Sequence, residues 1–139
     1  MDRRRAYLDS SVALRVLLRA PDSLKNLSRW DLVTSDLLEV EVRRVLHRLS
    51  LDRALTAEHL ALRIGELHLL LSAVDQVPIS KAILNRAGGP MPTPVKTLDA
   101  IHLATALTWS EYHGVEVLFL THDRQLATAA RACGLTAYP

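Results

Sequence analysis

Four acidic residues stand where the sequence pattern could bring their carboxylates together: Asp9, Glu41, Asp99 and Asp123. Asp9 follows a short apolar stretch, and Asp123 follows an apolar segment that ends at Leu120. Because the carboxyl ends of parallel strands meet at one edge of an α/β sheet, acids placed just after two strands can converge there. Carboxylates that converge without a cation repel one another and raise one another's pKa. Convergence therefore predicts a divalent cation with hard oxygen ligands, Mg²⁺ or Mn²⁺.

Each acid taken alone has an ordinary structural explanation. An Asp between a strand and a helix commonly caps the helix, an Asp in a first turn complements the helix dipole, and a helical Glu is usually solvated. Glu39 also competes with Glu41, because the two flank opposite edges of the apolar stripe on one predicted helix. Glu41 shares helical spacing with Leu37 and Val45, which slightly favours it. Periodicity leaves the choice of glutamate open.

The segments that would position these acids alternate between strand and helix patterns. Predicted strands cover residues 6–8, 32–34, 74–77, 116–120 and 135–138. Predicted helices cover about 11–19, 36–51, a long stretch capped by Thr56, 80–87, 97–112 capped by Thr97, and 123–133, which ends at Gly134. The alternation predicts a three-layer α/β fold with a mainly parallel sheet. Residues 88–94 read as an internal Gly/Pro loop, so residues 1–139 are predicted to form one domain.

Composition excludes several classes of protein. A hydrophobic fraction of 49% supports a real core, and no apolar run approaches the roughly 18 residues of a membrane span. Cys133 is the single cysteine, which excludes an internal disulfide and a cysteine-based zinc site and fits a reducing cytoplasm. The net charge of +2 is weakly in favour of a polyanionic partner.

The segments that carry the acids resemble the ordered motifs of one known family. The residues 7–11, YLDSS, 35–44, SDLLEVEVRR, 98–106, LDAIHLATA, and 120–123, LTHD, resemble those of PIN-domain proteins, most of all the VapC toxins of bacterial and archaeal toxin–antitoxin pairs. The resemblance extends over essentially the whole chain. It implies a Rossmann-like PIN fold, a homodimer, and an Mg²⁺- or Mn²⁺-dependent endoribonuclease restrained by a cognate antitoxin.

The same resemblance implies roles for individual residues. The metal-holding, catalytic acids would be Asp9, Glu41, Asp99 and Asp123. Glu41 is favoured over Glu39 because an arginine, Arg44, follows it three residues later. With every acid of the pattern present, nothing predicts an inactive copy.

Several polar residues near the acids are candidates for supporting roles. Ser11 and Thr121 match positions that steady the acids in the family. His102 follows Asp99 by three residues on the same helix face, where it would bind metal, orient a carboxylate, or simply hydrogen-bond beside the core. Candidate contacts to the RNA substrate come from Arg15, Arg44 and Arg124, although helical arginines are ordinarily just solvated.

Four other functions fit parts of the pattern. A non-catalytic RNA- or protein-binding module on the same fold is the main alternative, and a DNA nuclease is another. A haloacid-type phosphatase would need a second Asp where Ser11 stands. A receiver domain would need a lysine after a late strand, and the sequence has none near Asp123.

Overall fold

Five parallel strands form one sheet with six helices packed around it in residues 3–139, the part of the chain that the computed structural model describes. The strands are β1 (Arg4–Leu8), β2 (Trp30–Ser35), β3 (Val74–Val77), β4 (Leu118–Leu120) and β5 (Thr136–Tyr138). The helices are α1 (Ser10–Leu17), α2 (Leu37–Leu51), α3 (Ala57–Ser72), α4 (Lys81–Ala87), α5 (Thr97–His113) and α6 (Arg124–Ala132). None of these helices is long and apolar enough to cross a bilayer.

The strand order is β3-β2-β1-β4-β5, and all four strand pairs are parallel. Ala6 of β1 pairs with Leu32 of β2 on one side and with Leu118 of β4 on the other. The chain moves outward from β1 to β3 in one direction and then returns to β4 on the opposite side of β1. The reversal leaves a crevice at the carboxyl ends of β1 and β4, where α/β proteins bind their ligands.

Alternating strand residues build two apolar layers, one on each face of the sheet. Leu8, Leu32 and Leu120 face the layer that contains α1, α2 and α3. Tyr7, Val33 and Phe119 face the layer of α5 and α6. Because both faces are covered, β2, β4 and the second half of β1 are buried, which explains their apolar character. The edge strands β3 and β5 are largely exposed. The predicted three-layer α/β fold with a parallel sheet is confirmed.

The ends of several elements differ from the sequence-based expectation. Thr97 is not the cap of α5 but its first residue, since the capping position belongs to Lys96, whose side chain makes no capping bond. β4 begins at Leu118, two residues after its expected start at Glu116, and α1 already ends at Leu17. A short 3₁₀ turn at Leu27–Arg29 was not expected. Local patterns locate an element well, but its last turn depends on tertiary contacts.

Two predicted helix signals are confirmed. The Thr56 hydroxyl accepts a hydrogen bond of 3.1 Å from the amide of His59 and so caps α3. Gly134 follows α6 with a φ of +90°, a backbone conformation that favours glycine.

Candidate metal centre

Asp9 and Asp123 both lie in the crevice where the strand order reverses. Asp9 directly follows β1, and its backbone amide donates to the carbonyl of Leu120 at the end of β4, at 3.1 Å. Asp123 follows β4 by three residues and caps α6, where its Oδ1 accepts from the amide of Leu126 at 3.0 Å. Since that bond uses one carboxylate oxygen, the second oxygen of Asp123 remains for another ligand.

The carboxylate of Asp9 is buried and fixed on one side only. Its Oδ2 accepts hydrogen bonds from the hydroxyls of Ser11, at 2.6 Å, and Thr121, at 2.8 Å. Its Oδ1 has no hydrogen-bond partner among the described residues, although Asp9 is only 3% exposed. A buried carboxylate oxygen without a partner is costly, so this atom calls for a positively charged ligand.

The two hydroxyls that hold Asp9 also tie the ends of β1 and β4 together. Each hydroxyl donates its single proton to Asp9 and accepts from a backbone amide. Thr121 accepts from the amide of Asp123 at 3.0 Å, and Ser11 accepts from the amide of His122 at 3.0 Å. Both hydroxyls are therefore fully engaged, and they fix the position of Asp9 relative to Asp123.

Glu41 reaches the same region from α2 and meets His102 of α5. His102 is completely buried, and its Nε2 contacts the carboxylate of Glu41. Its Nδ1 lies 2.7 Å from the phenolic oxygen of Tyr7, which is also completely buried. With Tyr7 donating to Nδ1, the proton on Nε2 is donated to Glu41. The same Nε2 lies 3.9 Å from Oδ1 of Asp9.

The negative charge of this region acts on His102. Burial is the largest single influence and disfavours the charged imidazole. The hydrogen bond to Glu41, with the charges of Asp9, Glu41 and Asp99, outweighs burial, so the pKa of His102 is raised above its usual value.

Asp99 shows that the four acids act on one another. The pKa of Asp99 is raised from 3.8 to about 6. Burial is the largest cause, the charges of Asp9, Asp123 and Glu41 also raise it, and His102 opposes them. Mutual repulsion of this kind is relieved when a divalent cation binds between the carboxylates.

The carboxylate oxygens of the four acids are suitable ligands for a hard divalent cation, although the four side chains do not surround a common point. Within residues 3–139, no three His, Cys, Asp or Glu side chains stand in a ready-made metal-ligand cluster. Glu41 instead faces His102, which holds one oxygen of its carboxylate. Four carboxylates, one with an unpartnered buried oxygen, nevertheless match the oxygen ligands that Mg²⁺ and Mn²⁺ prefer.

The other candidate residues divide into those near the acids and those apart from them. Glu39 forms an ion pair with Arg43 at 3.0 Å and does not join the four acids. Arg15 pairs with Asp22 at 3.0 Å. Burial, followed by the charge of Arg15, lowers the pKa of His122.

The remaining two arginines are exposed. Arg44 lies on the outer surface of α2, and Arg124 is the first residue of α6, next to Asp123.

Sequence reasoning missed the role of Tyr7 in holding His102. A signal existed, because a buried tyrosine two residues before Asp9 must find a hydrogen-bond partner for its hydroxyl.

Comparison with known proteins gives concordant matches along most of the chain. The PIN domain family model matches residues 6–132. Ribonuclease VapC46 of Mycobacterium tuberculosis (strain ATCC 25618 / H37Rv) is 35% identical over 134 residues, which cover 93% of this chain and 92% of that protein.

Two solved structures show the same fold at low sequence identity. VapBC2 from Rickettsia felis, bound to a DNA fragment from the promoter, superimposes with a TM-score of 0.67 at 11% identity, over 96% of this chain and 97% of that chain. A toxin–antitoxin complex from Klebsiella pneumoniae gives a TM-score of 0.61 at 19% identity, over 88% of this chain and 90% of that chain.

Proposed function

Since the chain belongs to the PIN domain family, in its VapC-type branch, we propose that it is a metal-dependent endoribonuclease and the toxin of a toxin–antitoxin pair. The relative named as a ribonuclease matches this chain along nearly its whole length. The hydrolysed bond is the phosphodiester bond of RNA.

One observation carries the metal-dependent part of the proposal. The Oδ1 atom of Asp9 is buried without a hydrogen-bond partner among the described residues. Nearby, the pKa of Asp99 is raised by burial and by the charges of Asp9, Asp123 and Glu41. A site built only to bind RNA or protein would gain nothing from concentrating negative charge where a phosphate must approach. A divalent cation removes that conflict, because it neutralises the acids and attracts the phosphate.

In the proposed site, the carboxylates of Asp9, Glu41, Asp99 and Asp123 hold Mg²⁺ or Mn²⁺ and are the catalytic residues. The cation supplies Lewis acidity, which polarises the phosphate and makes water more acidic. Asp123 has one oxygen committed to capping α6 and offers the other.

Other residues of the chain keep these acids in place. Ser11 and Thr121 hold one oxygen of Asp9, and its second oxygen lies 3.9 Å from Nε2 of His102. His102 orients Glu41 as a positioning residue, and Tyr7 fixes the orientation of the imidazole.

The proposed partners follow from the same function. RNA is the substrate, with Arg15, Arg44 and Arg124 as candidate phosphate contacts, and the proposed location is therefore the cytoplasm. An antitoxin protein would restrain the activity, in line with the solved toxin–antitoxin complex of similar fold. We also propose that the chain forms a single domain and that two copies of it associate as a homodimer.

The direct test incubates the purified protein with total cellular RNA in Mn²⁺ or in EDTA and maps the ends of the products. We expect cleavage in Mn²⁺, none in EDTA, and none with Asp9→Asn in Mn²⁺. Asp75→Asn is the matched control, because Asp75 lies on β3 with its side chain exposed and paired with Arg5 at 3.6 Å. Cleavage that persists in EDTA would reject the metal-dependent mechanism.

A further inference from the structure

A cavity of about 320 Å³ opens beside Asp123, on the side of α6. Its wall includes Arg124, Thr128 and Arg131, whose spacing of four and then three residues places them on one face of the helix. The opposite face of α6 packs into the core through Leu126 and Ala130. Core packing therefore fixes which side chains of α6 border the cavity.

The two arginines of this face, Arg124 and Arg131, form no ion pair with a carboxylate of the described residues. Within residues 3–139, no carboxylate lies within ion-pair distance of Arg124 or Arg131, whereas Arg19 and Arg86 are each paired with a glutamate at less than 3 Å. Arg131 is oriented by one weak hydrogen bond of 3.4 Å, from its Nη2 to the carbonyl of Ala137. Most of its guanidinium donors remain for a ligand, and guanidinium groups match phosphate oxygens in geometry.

We propose that Arg124, Thr128 and Arg131 form a subsite for phosphates of the RNA strand next to the bond that is cut. The inference rests on the proposed ribonuclease function and extends it, since it assigns the path of the substrate along α6. The cation that the acids would hold attracts the reacting phosphate, while the basic face of α6 attracts the strand that continues from it. Seven residues of α-helix span about 10 Å, so Arg124 and Arg131 contact different points of the strand.

A single-stranded nucleic acid fits this face better than an acidic protein segment does. The cavity is continuous with the acids through Asp123, which is part of its wall. An acidic peptide bound there would bring further carboxylates towards four existing ones. An RNA strand instead places one phosphate at the proposed cation and the following phosphates over the arginines.

The test measures RNA binding without cleavage. A fluorescent single-stranded RNA oligonucleotide is titrated with the Asp9→Asn protein in EDTA at several salt concentrations, with and without Arg131→Gln. We expect Arg131→Gln to weaken binding roughly tenfold. We also expect the slope of log Kd against log salt to fall by about 0.7, the value for one lost phosphate contact on a single strand. Arg131→Lys should keep most of the slope.

Arg48→Gln provides the matched control, because Arg48 is an exposed arginine in the last turn of α2, at the other end of that helix from the crevice. An Arg131→Gln protein that retains the slope of the Arg48→Gln protein would overturn the subsite. The same holds if Arg131→Gln leaves RNA binding intact but weakens binding of a polyglutamate peptide. Both results are independent of cleavage, so the subsite and the ribonuclease function can fail separately.

Discussion

The buried imidazole of His102 contacts the carboxylate of Glu41 through Nε2, although the two residues are 61 positions apart in the chain. Tyr7 occupies the other ring nitrogen at 2.7 Å, so the imidazole has a fixed orientation. In metal sites, residues that orient a ligand commonly contribute 10- to 100-fold to metal affinity. The chain from Tyr7 to Glu41 therefore sets the position of one proposed metal ligand.

We expect His102→Gln to weaken Mn²⁺ binding by about 10- to 100-fold, because Glu41 loses the group that orients it. Isothermal titration calorimetry measures the affinity, and thermal unfolding in EDTA shows whether the fold is kept. His47→Gln, at an exposed position of α2, is the control. Unchanged Mn²⁺ affinity in a folded His102→Gln protein would contradict the positioning role.

We expect Tyr7→Phe to lower the free energy of unfolding by about 1–3 kcal/mol, because Nδ1 of His102 then stays buried without its partner. The ring itself is retained, so its stacking on Phe119, at a centroid distance of 5.2 Å, is preserved. Urea denaturation measures the loss. Tyr112→Phe is the control, since Tyr112 is 85% exposed and should leave stability unchanged.

We expect Thr121→Ala to reduce RNA cleavage about 10- to 100-fold, whereas Thr121→Ser should remain within a few-fold of the unmodified protein. The alanine removes the hydroxyl that donates to Asp9 at 2.8 Å and accepts from the amide of Asp123 at 3.0 Å. Serine restores that hydroxyl. Initial rates of oligonucleotide cleavage at saturating Mn²⁺ measure the effect, and equal rates for the two variants would show that the hydroxyl is dispensable.

We expect Asp99→Asn to stabilise the metal-free protein above pH 6. The pKa of Asp99 rises from 3.8 to about 6 in the folded state, so its stabilising contribution is complete below pH 3.8 and is lost as the pH rises through 6. Asparagine imitates the protonated acid. Because Asp99 is half-exposed, solvent screening reduces the gain at pH 7.5 to on the order of 1 kcal/mol.

Denaturation of both proteins in EDTA at pH 4 and pH 7.5 measures this difference, which should be much smaller at the lower pH. In saturating Mn²⁺ at pH 7.5 the order should reverse, because Asp99→Asn removes a proposed ligand and metal binding stabilises the folded state. An equal difference at both pH values would show that the charge of Asp99 is not the cause.

We expect Gly65→Ala to raise the free energy of unfolding by roughly 0.5–1 kcal/mol, because glycine is a poor helix former. Gly65 lies inside α3, and an added Cβ would meet no other atom within 4 Å. Gly134→Ala should have the opposite sign, since its φ of +90° is strained for alanine. Chemical denaturation measures both variants.

The sequence by itself determined the alternation of strands and helices and the positions of Asp9 and Asp123 after β1 and β4. Those features follow from local apolar patterns, and the rules for parallel α/β sheets then bring the carboxyl ends of the strands to one edge. The order of the motifs that resemble the PIN-domain family predicted the other two acids, Glu41 and Asp99, and Asp99 lies in the first turn of α5.

Only the tertiary structure decided what Glu39 and Glu41 contact, because both fit the same helix pattern. The packing of α2 turns Glu41 towards His102 and leaves Glu39 beside Arg43. The contact between His102 and Tyr7 joins residues 95 positions apart, which no local pattern encodes. Helix and strand signals act over a few residues, whereas the partners of a buried polar group are fixed by how whole elements pack.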